Sequence, residues 1–212
     1  TWSAAFVAAS LLIAAAILGL YWRERQHRQR LSQQLDSMAK QLASPNGADT
    51  FSGLMTRTSF DAALAKKAYD VDRGGGTFCV LYVALDNFVM LNDAFGSEAG
   101  DRMLKEVSRR LALVDGNRAH ICHIAVGEFA LFVDGDHRSA RKSAQRVANA
   151  LSVPLSVDAI RAQLTCSIGV AVYPEHGAVG KLLGNSALAM RSVKFNGGSD
   201  FCLYDPKMGV EV

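Results

Sequence analysis

The chain opens with a long apolar segment. Trp2–Tyr21 spans twenty residues, and residues 1–22 carry no charged side chain. A helix rises about 1.5 Å per residue, so this segment reaches roughly the 30 Å thickness of a bilayer's hydrocarbon core. The pattern predicts a transmembrane helix over residues 1–22, with Trp2, Tyr21 and Trp22 at the interfaces. A signal peptide and a buried core helix are the alternatives, and no basic region precedes the run as a signal peptide requires.

The next segment, residues 23–48, changes to a polar helical pattern. Leu31, Leu35, Met38 and Leu42 follow one another at spacings of 4, 3 and 4, which is the rhythm of a coiled-coil seam. This predicts a juxtamembrane helix that pairs with a second copy, and hence a homodimer. A solvated helix with one apolar stripe remains the alternative. Pro and Gly in residues 44–47 end the helix.

Beyond residue 48 the apolar pattern alternates between strand and helix periods. Thr77–Leu85 is nearly all apolar and predicts a central strand buried on both faces. His120–Val133 predicts a tight hairpin around Val126, Gly127 and Glu128. This alternation predicts a single α/β domain over residues 49–205, with a central sheet flanked by helices. The other predicted elements are helices over Thr58–Tyr69, Ala99–Leu113, Arg138–Leu151 and Leu182–Val193, strands over Leu164–Val172 and Phe201–Tyr204, and a loop over Arg73–Gly76.

Charge adds an orientation to this picture. The net charge of the chain is +3, and residues 23–42 alone hold five basic and two acidic residues. By the positive-inside rule the following domain lies in the cytoplasm, which predicts a protein of the bacterial inner (cytoplasmic) membrane. The remaining residues are neutral as a group, which argues against a nucleic-acid-binding domain. The chain starts with Thr rather than Met, so we expect further residues before it.

The four cysteines, Cys79, Cys122, Cys166 and Cys202, all fall in predicted apolar strands. In a cytoplasmic domain they are expected to be reduced core thiols. His120, Cys122 and His123 do not predict a metal site, because strand alternation places His123 on the opposite face from the other two.

Five segments resemble the motifs of GGDEF domains, the diguanylate cyclase family. Residues 49–57 (DTFSGLMTR) resemble its D-x-L-T-G-L-x-N-R opening, residues 85–88 its D-x-D-x-F-K motif, and residues 91–101 its N-D-x-x-G-H-x-x-G-D motif. Residues 167–174 (SIGVAVYP) and 182–197 resemble its later strand and closing helix. The resemblance implies a fold similar to the palm of nucleotidyl cyclases. It also implies chemistry in which two domains, each with one GTP and two divalent cations, make cyclic di-GMP.

The chain departs from the family at the residues that carry this chemistry. Ala84 stands where the family has a metal-binding aspartate, and Val89 where it has a phosphate-binding lysine. Two divalent cations need carboxylates, which a methyl group cannot replace. We therefore expect no cyclase activity and assign no catalytic residue and no metal ligand. The signature itself reads Ala125, Val126, Gly127, Glu128 and Phe129 in place of G-G-D-E-F.

The inhibitory R-x-x-D site of the family is also altered. Its ends fall on Gly116 and Ala119, and Arg118 alone does not restore it. We expect no product inhibition.

Part of the nucleotide site is retained. By resemblance, Asn92 and Asp101 would recognise guanine and Lys194 would meet phosphate, so GTP, with Mg²⁺, is the one candidate ligand. A carboxylate and an amide suit the hydrogen-bonding edge of guanine. The alternatives are structural: Asn92 as a helix cap, Asp101 in a local turn, and Lys194 as a cation near a helix C-terminus.

Together these features predict an inactive, membrane-anchored GGDEF domain in cyclic di-GMP signalling. In the family such domains often precede an EAL domain, a cyclic di-GMP phosphodiesterase, and modulate it through GTP binding or dimer contacts. Residues 206–212 resemble the start of a linker to such a domain. A structural dimerisation or partner-docking module is the alternative, and an active cyclase with an atypical signature is disfavoured by Ala84 and Gly127.

Overall fold

The central strand is apolar on both faces. The computed structural model describes residues 49, 51–114, 120–158 and 160–209, and all eight residues of β1 (Phe78–Leu85) are buried. β1 pairs antiparallel with β3 (Glu128–Asp134) and with β6 (Cys166–Tyr173). β2 (Ile121–Ala125) and β7 (Phe201–Leu203) form the edges, in the order β2-β3-β1-β6-β7. Within the described residues β6 pairs in parallel with β7, so the sheet is mixed, and the predicted central strand is confirmed.

Helices cover the two faces of this sheet. They are α1 (Arg57–Gly74), α2 (Phe88–Phe95), α3 (Ser97–Val114), α4 (His137–Ser152) and α5 (Val179–Phe195). Successive residues of a strand point to opposite faces. The residues Phe78, Val80, Tyr82 and Ala84 therefore share one apolar cluster with α1 and α5, whereas Cys79, Leu81, Val83 and Leu85 share the other with α3 and α4.

Several boundaries differ from the prediction. Arg73 and Gly74 belong to α1, which ends at Gly74 and has Gly75 as its C-cap, so the loop predicted over Arg73–Gly76 is shorter than expected. Helix α2 was not predicted as an element, and neither was the small hairpin of β4 (Leu155–Val157) and β5 (Ile160–Ala162). Three-residue strands carry too little periodicity to be read from sequence. The chain ends, within the described residues, in a 3₁₀ turn over Pro206–Gly209.

Close packing of α5 on β6 depends on Gly169. A Cβ atom there would lie 2.0 Å from the Ser186 carbonyl oxygen and 2.2 Å from the Met190 nitrogen. Both atoms are backbone, so they cannot move aside without shifting the helix. Glycine thus lets α5 lie directly against the centre of the sheet.

The cysteines lie in the strands as predicted. Cys79, Cys122 and Cys166 are buried, Cys202 is half-buried, and all four are free thiols. Burial raises the pKa of Cys166 to about 12, which keeps this thiol protonated at neutral pH. His123 packs beside Phe129 at 5.0 Å between ring centroids, in the cluster opposite that of Cys122.

Some predictions lie outside the described residues. These are the transmembrane helix over residues 1–22, the juxtamembrane helix over 23–48, the inhibitory positions Gly116, Arg118 and Ala119, and the last residues of the predicted linker. Among the helices that are described, none combines the length and the hydropathy needed to cross a membrane.

Candidate functional site

The end of β1 holds a methyl group where the predicted chemistry needs a carboxylate. Ala84 is fully buried. It lies opposite Glu128 of β3 on one side and opposite Ser167 of β6 on the other. The strand register therefore places Glu128, the one carboxylate that remains in the signature, directly beside Ala84, which offers no metal ligand.

The carboxylate of Glu128 accepts a hydrogen bond from a tyrosine of β1. The Tyr82 hydroxyl donates a hydrogen bond to Glu128 Oε2 at 2.5 Å. Burial raises the pKa of Tyr82, and the hydrogen bond to Glu128 raises it further, while the positive charges of Arg191 and Arg57 oppose the rise. The phenol thus stays protonated and serves as the donor. Sequence reasoning did not single out Tyr82, because only the strand register reveals that it reaches Glu128.

The neighbouring carboxylate, Asp86, also accepts hydrogen bonds from protein donors, at both of its oxygens. Its Oδ1 accepts from the Ser167 hydroxyl at 2.7 Å. Its Oδ2 accepts from the Thr165 hydroxyl at 2.8 Å and from the Ser199 backbone N–H at 3.0 Å. Asp86 therefore joins the end of β1 to the start of β6 and to the loop after α5.

The turn of the hairpin carries the altered signature. Gly127 has φ +75°, a left-handed conformation that favours glycine, and its carbonyl accepts from the Leu85 N–H at 2.8 Å. This bond ties the turn to the end of β1. Ala125 is exposed and Val126 is 61% exposed, whereas Phe129 is fully buried.

Apolar side chains also face solvent on α2. Val89 is 63% and Met90 is 70% exposed. The hairpin turn lies beside the start of the same helix, because a Cβ on Gly127 would come 3.4 Å from the Phe88 side chain. Val89 and Val126 thus present apolar surface where the family resemblance leads one to expect a cation and a glycine.

The donor set does not fit a pair of divalent cations. Such ions bind where several carboxylate or carbonyl oxygens converge. Here Glu128 is held by Tyr82 and Asp86 by two hydroxyls and an amide. Within the described part of the chain, no group of three His, Cys, Asp or Glu side chains is arranged to hold a metal ion.

The two predicted guanine-binding residues lie on the two helices that meet at the α2–α3 junction, and the Asn92 side chain lies against Gly100, the residue before Asp101. Asn92 is half-buried in α2, and Asp101 is exposed in the first part of α3. A Cβ on Gly100 would lie 1.9 Å from Asn92 Oδ1, so glycine at this position makes room for the amide. Gly100 is therefore a further residue of the candidate site. It lies within the motif of residues 91–101, but the sequence alone did not assign it a role.

The positions of Asn92 and Asp101 bear on the alternative interpretations of these residues as a helix cap and as part of a local turn. Asn92 lies inside α2, whose N-cap is Asn87, so the interpretation of Asn92 as a helix cap is wrong. Asp101 lies within α3 rather than in a turn. Among the described residues, no hydrogen bond or ion pair engages the Asn92 amide or the Asp101 carboxylate. Within the described part of the chain, both side chains are therefore available to a ligand.

Lys194 lies in the last turn of α5, near the helix C-terminus as the structural alternative predicts. It is exposed and, within the described residues, forms no ion pair. The structure places it on a different element from Asn92 and Asp101, and the described contacts do not join it to either. Lys194 and Arg191 are three positions apart on α5, which puts them on one side of the helix.

This fold and these motifs define a known class of domain. Residues 46–200 match the family described as diguanylate cyclase, GGDEF domain, and the chain belongs to that family. It is 30% identical over 194 residues to the cyclic di-GMP phosphodiesterase NbdA of Pseudomonas aeruginosa, covering 86% of this chain and 25% of NbdA. It is 28% identical over 162 residues to the bifunctional diguanylate cyclase/cyclic di-GMP phosphodiesterase MucR of the same organism, covering 76% of this chain and 24% of MucR.

The fold is also that of a solved GGDEF domain. The GGDEF domain of TpbB (YfiN) from Pseudomonas aeruginosa superimposes with a TM-score of 0.71 at 23% identity, covering 77% of this chain and 97% of that domain. The chain spans a quarter or less of the length of NbdA and MucR.

Proposed function

We propose that this chain is a catalytically inactive GGDEF domain that binds GTP and regulates cyclic di-GMP signalling from the membrane. The observation that carries the proposal is the contrast between two parts of the site. The carboxylates at the sheet end, Glu128 and Asp86, accept hydrogen bonds from protein donors. The base-recognition pair, Asn92 and Asp101, has no side-chain partner among the residues that the structure describes.

Loss of the cyclase reaction follows from the sheet end. In that reaction, metal ions activate the attacking hydroxyl and neutralise charge that builds on the phosphates. Ala84 offers no ligand, and Gly127 offers only a backbone carbonyl that already accepts from Leu85. Each missing metal contact removes several kcal/mol of transition-state stabilisation, roughly 10² to 10⁴ in rate.

Guanine recognition is supported by the chemistry of the pair near Gly100. The Asp101 carboxylate accepts from the N1 and N2 donors of guanine, and the Asn92 amide serves its acceptor edge. Adenine presents a different pattern of donors and acceptors, so the pair selects guanine. Lys194 supplies a positive charge for the phosphates.

The regulated partner is a cyclic di-GMP phosphodiesterase domain, of the EAL type, that adjoins this domain in the same protein. Two considerations support this proposal. One relative is named a cyclic di-GMP phosphodiesterase and is about four times as long as the region that matches. Residues 206–212 also resemble a linker to such a domain. The apolar residues 1–22 anchor the chain in the membrane, and the helix after them pairs two copies.

A GTP titration of the purified chain by calorimetry tests the binding step. We expect saturable binding that Asn92→Ala or Asp101→Ala abolishes, and no binding of ATP. Asp93→Ala is the matched control, because Asp93 is an exposed acidic residue on α2 next to Asn92. Binding that survives both site substitutions, or absence of binding, would contradict the proposal.

A second candidate function is favoured by the exposed apolar residues Val89, Met90 and Val126. A module that docks a protein partner through this surface needs no nucleotide. The titration separates the two functions, since absence of GTP binding leaves the docking function in place.

A further inference from the structure

We infer that this domain binds its guanine nucleotide without a divalent cation, because the Tyr82 hydroxyl takes the place of a metal ion at Glu128 and the Arg191 guanidinium meets the phosphates. The inference rests on the proposed GTP binding and deepens it. It assigns Tyr82 and Arg191 to roles that the family resemblance does not give them.

The first step is the position of Tyr82. It precedes Ala84 by two residues on β1, so both side chains point to the face covered by α1 and α5. Glu128 lies directly opposite Ala84 and therefore diagonal to Tyr82 across the β1–β3 pair. A diagonal neighbour is within reach of a long aromatic side chain, and the 2.5 Å hydrogen bond shows that the phenol makes this contact.

The second step is the absence of a replacement ligand. Magnesium needs near-octahedral oxygen ligands, commonly one or two carboxylates together with substrate phosphates. Asp86 is the carboxylate two positions after Ala84, and three donors already occupy both of its oxygens. A cation at Glu128 would have to displace the phenol and would gain one carboxylate only.

The third step is the source of positive charge. Gly169 of β6 lies directly opposite Tyr82, and a Cβ atom on Gly169 would come 2.2 Å from the Met190 nitrogen of α5. Arg191 is the next residue of α5 and therefore lies near Tyr82. The positive charges of Arg191 and Arg57 both oppose the rise in the pKa of Tyr82. Arg57 is paired with Asp61 at 2.8 Å. Arg191 is exposed, and within the described residues no ion pair engages it. Guanidinium groups bind phosphate oxygens in pairs of hydrogen bonds, and Lys194 lies on the same side of the helix.

The direct test titrates GTP into the purified chain in buffer with excess Mg²⁺ and in buffer with excess EDTA. We expect dissociation constants that agree within about twofold. Arg191→Ala is expected to weaken GTP binding about tenfold and to leave guanosine binding unchanged, whereas Arg141→Ala, an exposed arginine on α4, changes neither. Binding that vanishes in EDTA, or an Arg191→Ala variant that binds GTP like the parent, would overturn the inference.

A second measurement does not depend on nucleotide. Manganese is titrated into the chain without GTP and followed by electron paramagnetic resonance, with thermal melting as the check on folding. The parent chain is expected to leave Mn²⁺ free, whereas a Tyr82→Phe/Ala84→Asp double variant binds it, because the first substitution releases the Glu128 carboxylate and the second introduces another one opposite it. Mn²⁺ binding by the parent overturns the exclusion of metal. Absence of GTP binding in both buffers instead overturns the proposed function and the role of Arg191, and leaves the manganese result to decide the role of Tyr82.

Discussion

The substitution Gly100→Ala is expected to weaken ligand binding while leaving the stability of the fold nearly unchanged. A Cβ at this position would lie 1.9 Å from Asn92 Oδ1 and 3.0 Å from its Cγ. In Gly100→Ala the Asn92 side chain must therefore rotate away about its Cα–Cβ bond. The atom in the way is the end of a side chain rather than backbone, so the fold is expected to accept the change.

The expected stability change is small because two effects oppose each other. Alanine in a helix interior is favoured over glycine by about 0.5 to 1 kcal/mol. An unfavourable rotamer of Asn92 costs about 0.5 to 1.5 kcal/mol. The free energy of unfolding, measured by urea denaturation, should thus stay within about 1 kcal/mol of the parent value.

The expected binding change is large by comparison. Loss of one or two hydrogen bonds between the Asn92 amide and guanine removes about 1 to 3 kcal/mol, roughly 5- to 150-fold in the dissociation constant for GTP. The control is Gly184→Ala on α5, where a Cβ would meet no atom within 4 Å. A Gly100→Ala variant that is well folded and binds GTP as tightly as the parent would refute the assignment of Asn92 to the base.

Three further predictions concern stability. Asp86→Ala removes the acceptor of three hydrogen bonds and is expected to lower the free energy of unfolding by about 2 kcal/mol in urea denaturation; an unchanged midpoint would contradict the role given to it. Gly169→Ala places a Cβ within 2.2 Å of the α5 backbone and should cost about 3 kcal/mol in the same assay, whereas Gly184→Ala should be neutral or stabilising. Hydrogen bonds from Arg109 and then Arg110 lower the pKa of Glu106 to about 2. This depressed folded-state pKa gives stability that is present above the unfolded value of 4.5 and is lost as the pH falls toward 2. Glu106→Gln should therefore cost about 1 kcal/mol at neutral pH and progressively less below pH 4.5, and a pH-independent difference would count against the ion pair.

The sheet and its covering helices follow from patterns that are local in sequence. The apolar run that forms β1 can be buried only between two other strands, and the Val126-Gly127 turn joins two runs of strand length. Helix α2 escaped prediction because it has eight residues and begins after Asn87, which adopts a left-handed φ of 56° without a side-chain cap. A short helix without a capping signal leaves little trace in the sequence.

The hydrogen bonds that hold the Glu128 and Asp86 carboxylates come from residues that are distant in sequence. Tyr82 and Glu128 are 46 positions apart, and Asp86 reaches partners 79, 81 and 113 positions away. Only the pairing register of the strands brings these groups together. Motif comparison identified the missing ligand at Ala84, but it could not reveal that a phenol holds the carboxylate that remains.

The central claim, a domain that holds GTP without converting it, is tested most directly by measuring both properties on one sample. The purified chain is incubated with GTP and Mg²⁺ at a concentration where calorimetry shows the site to be saturated, and cyclic di-GMP is quantified by mass spectrometry beside an active GGDEF cyclase. The account predicts bound GTP and no cyclic di-GMP above the level in a sample without protein. Cyclic di-GMP that accumulates with time and protein concentration would contradict it, because the proposal assigns no metal ligand to Ala84 and keeps Glu128 in its hydrogen bond with Tyr82.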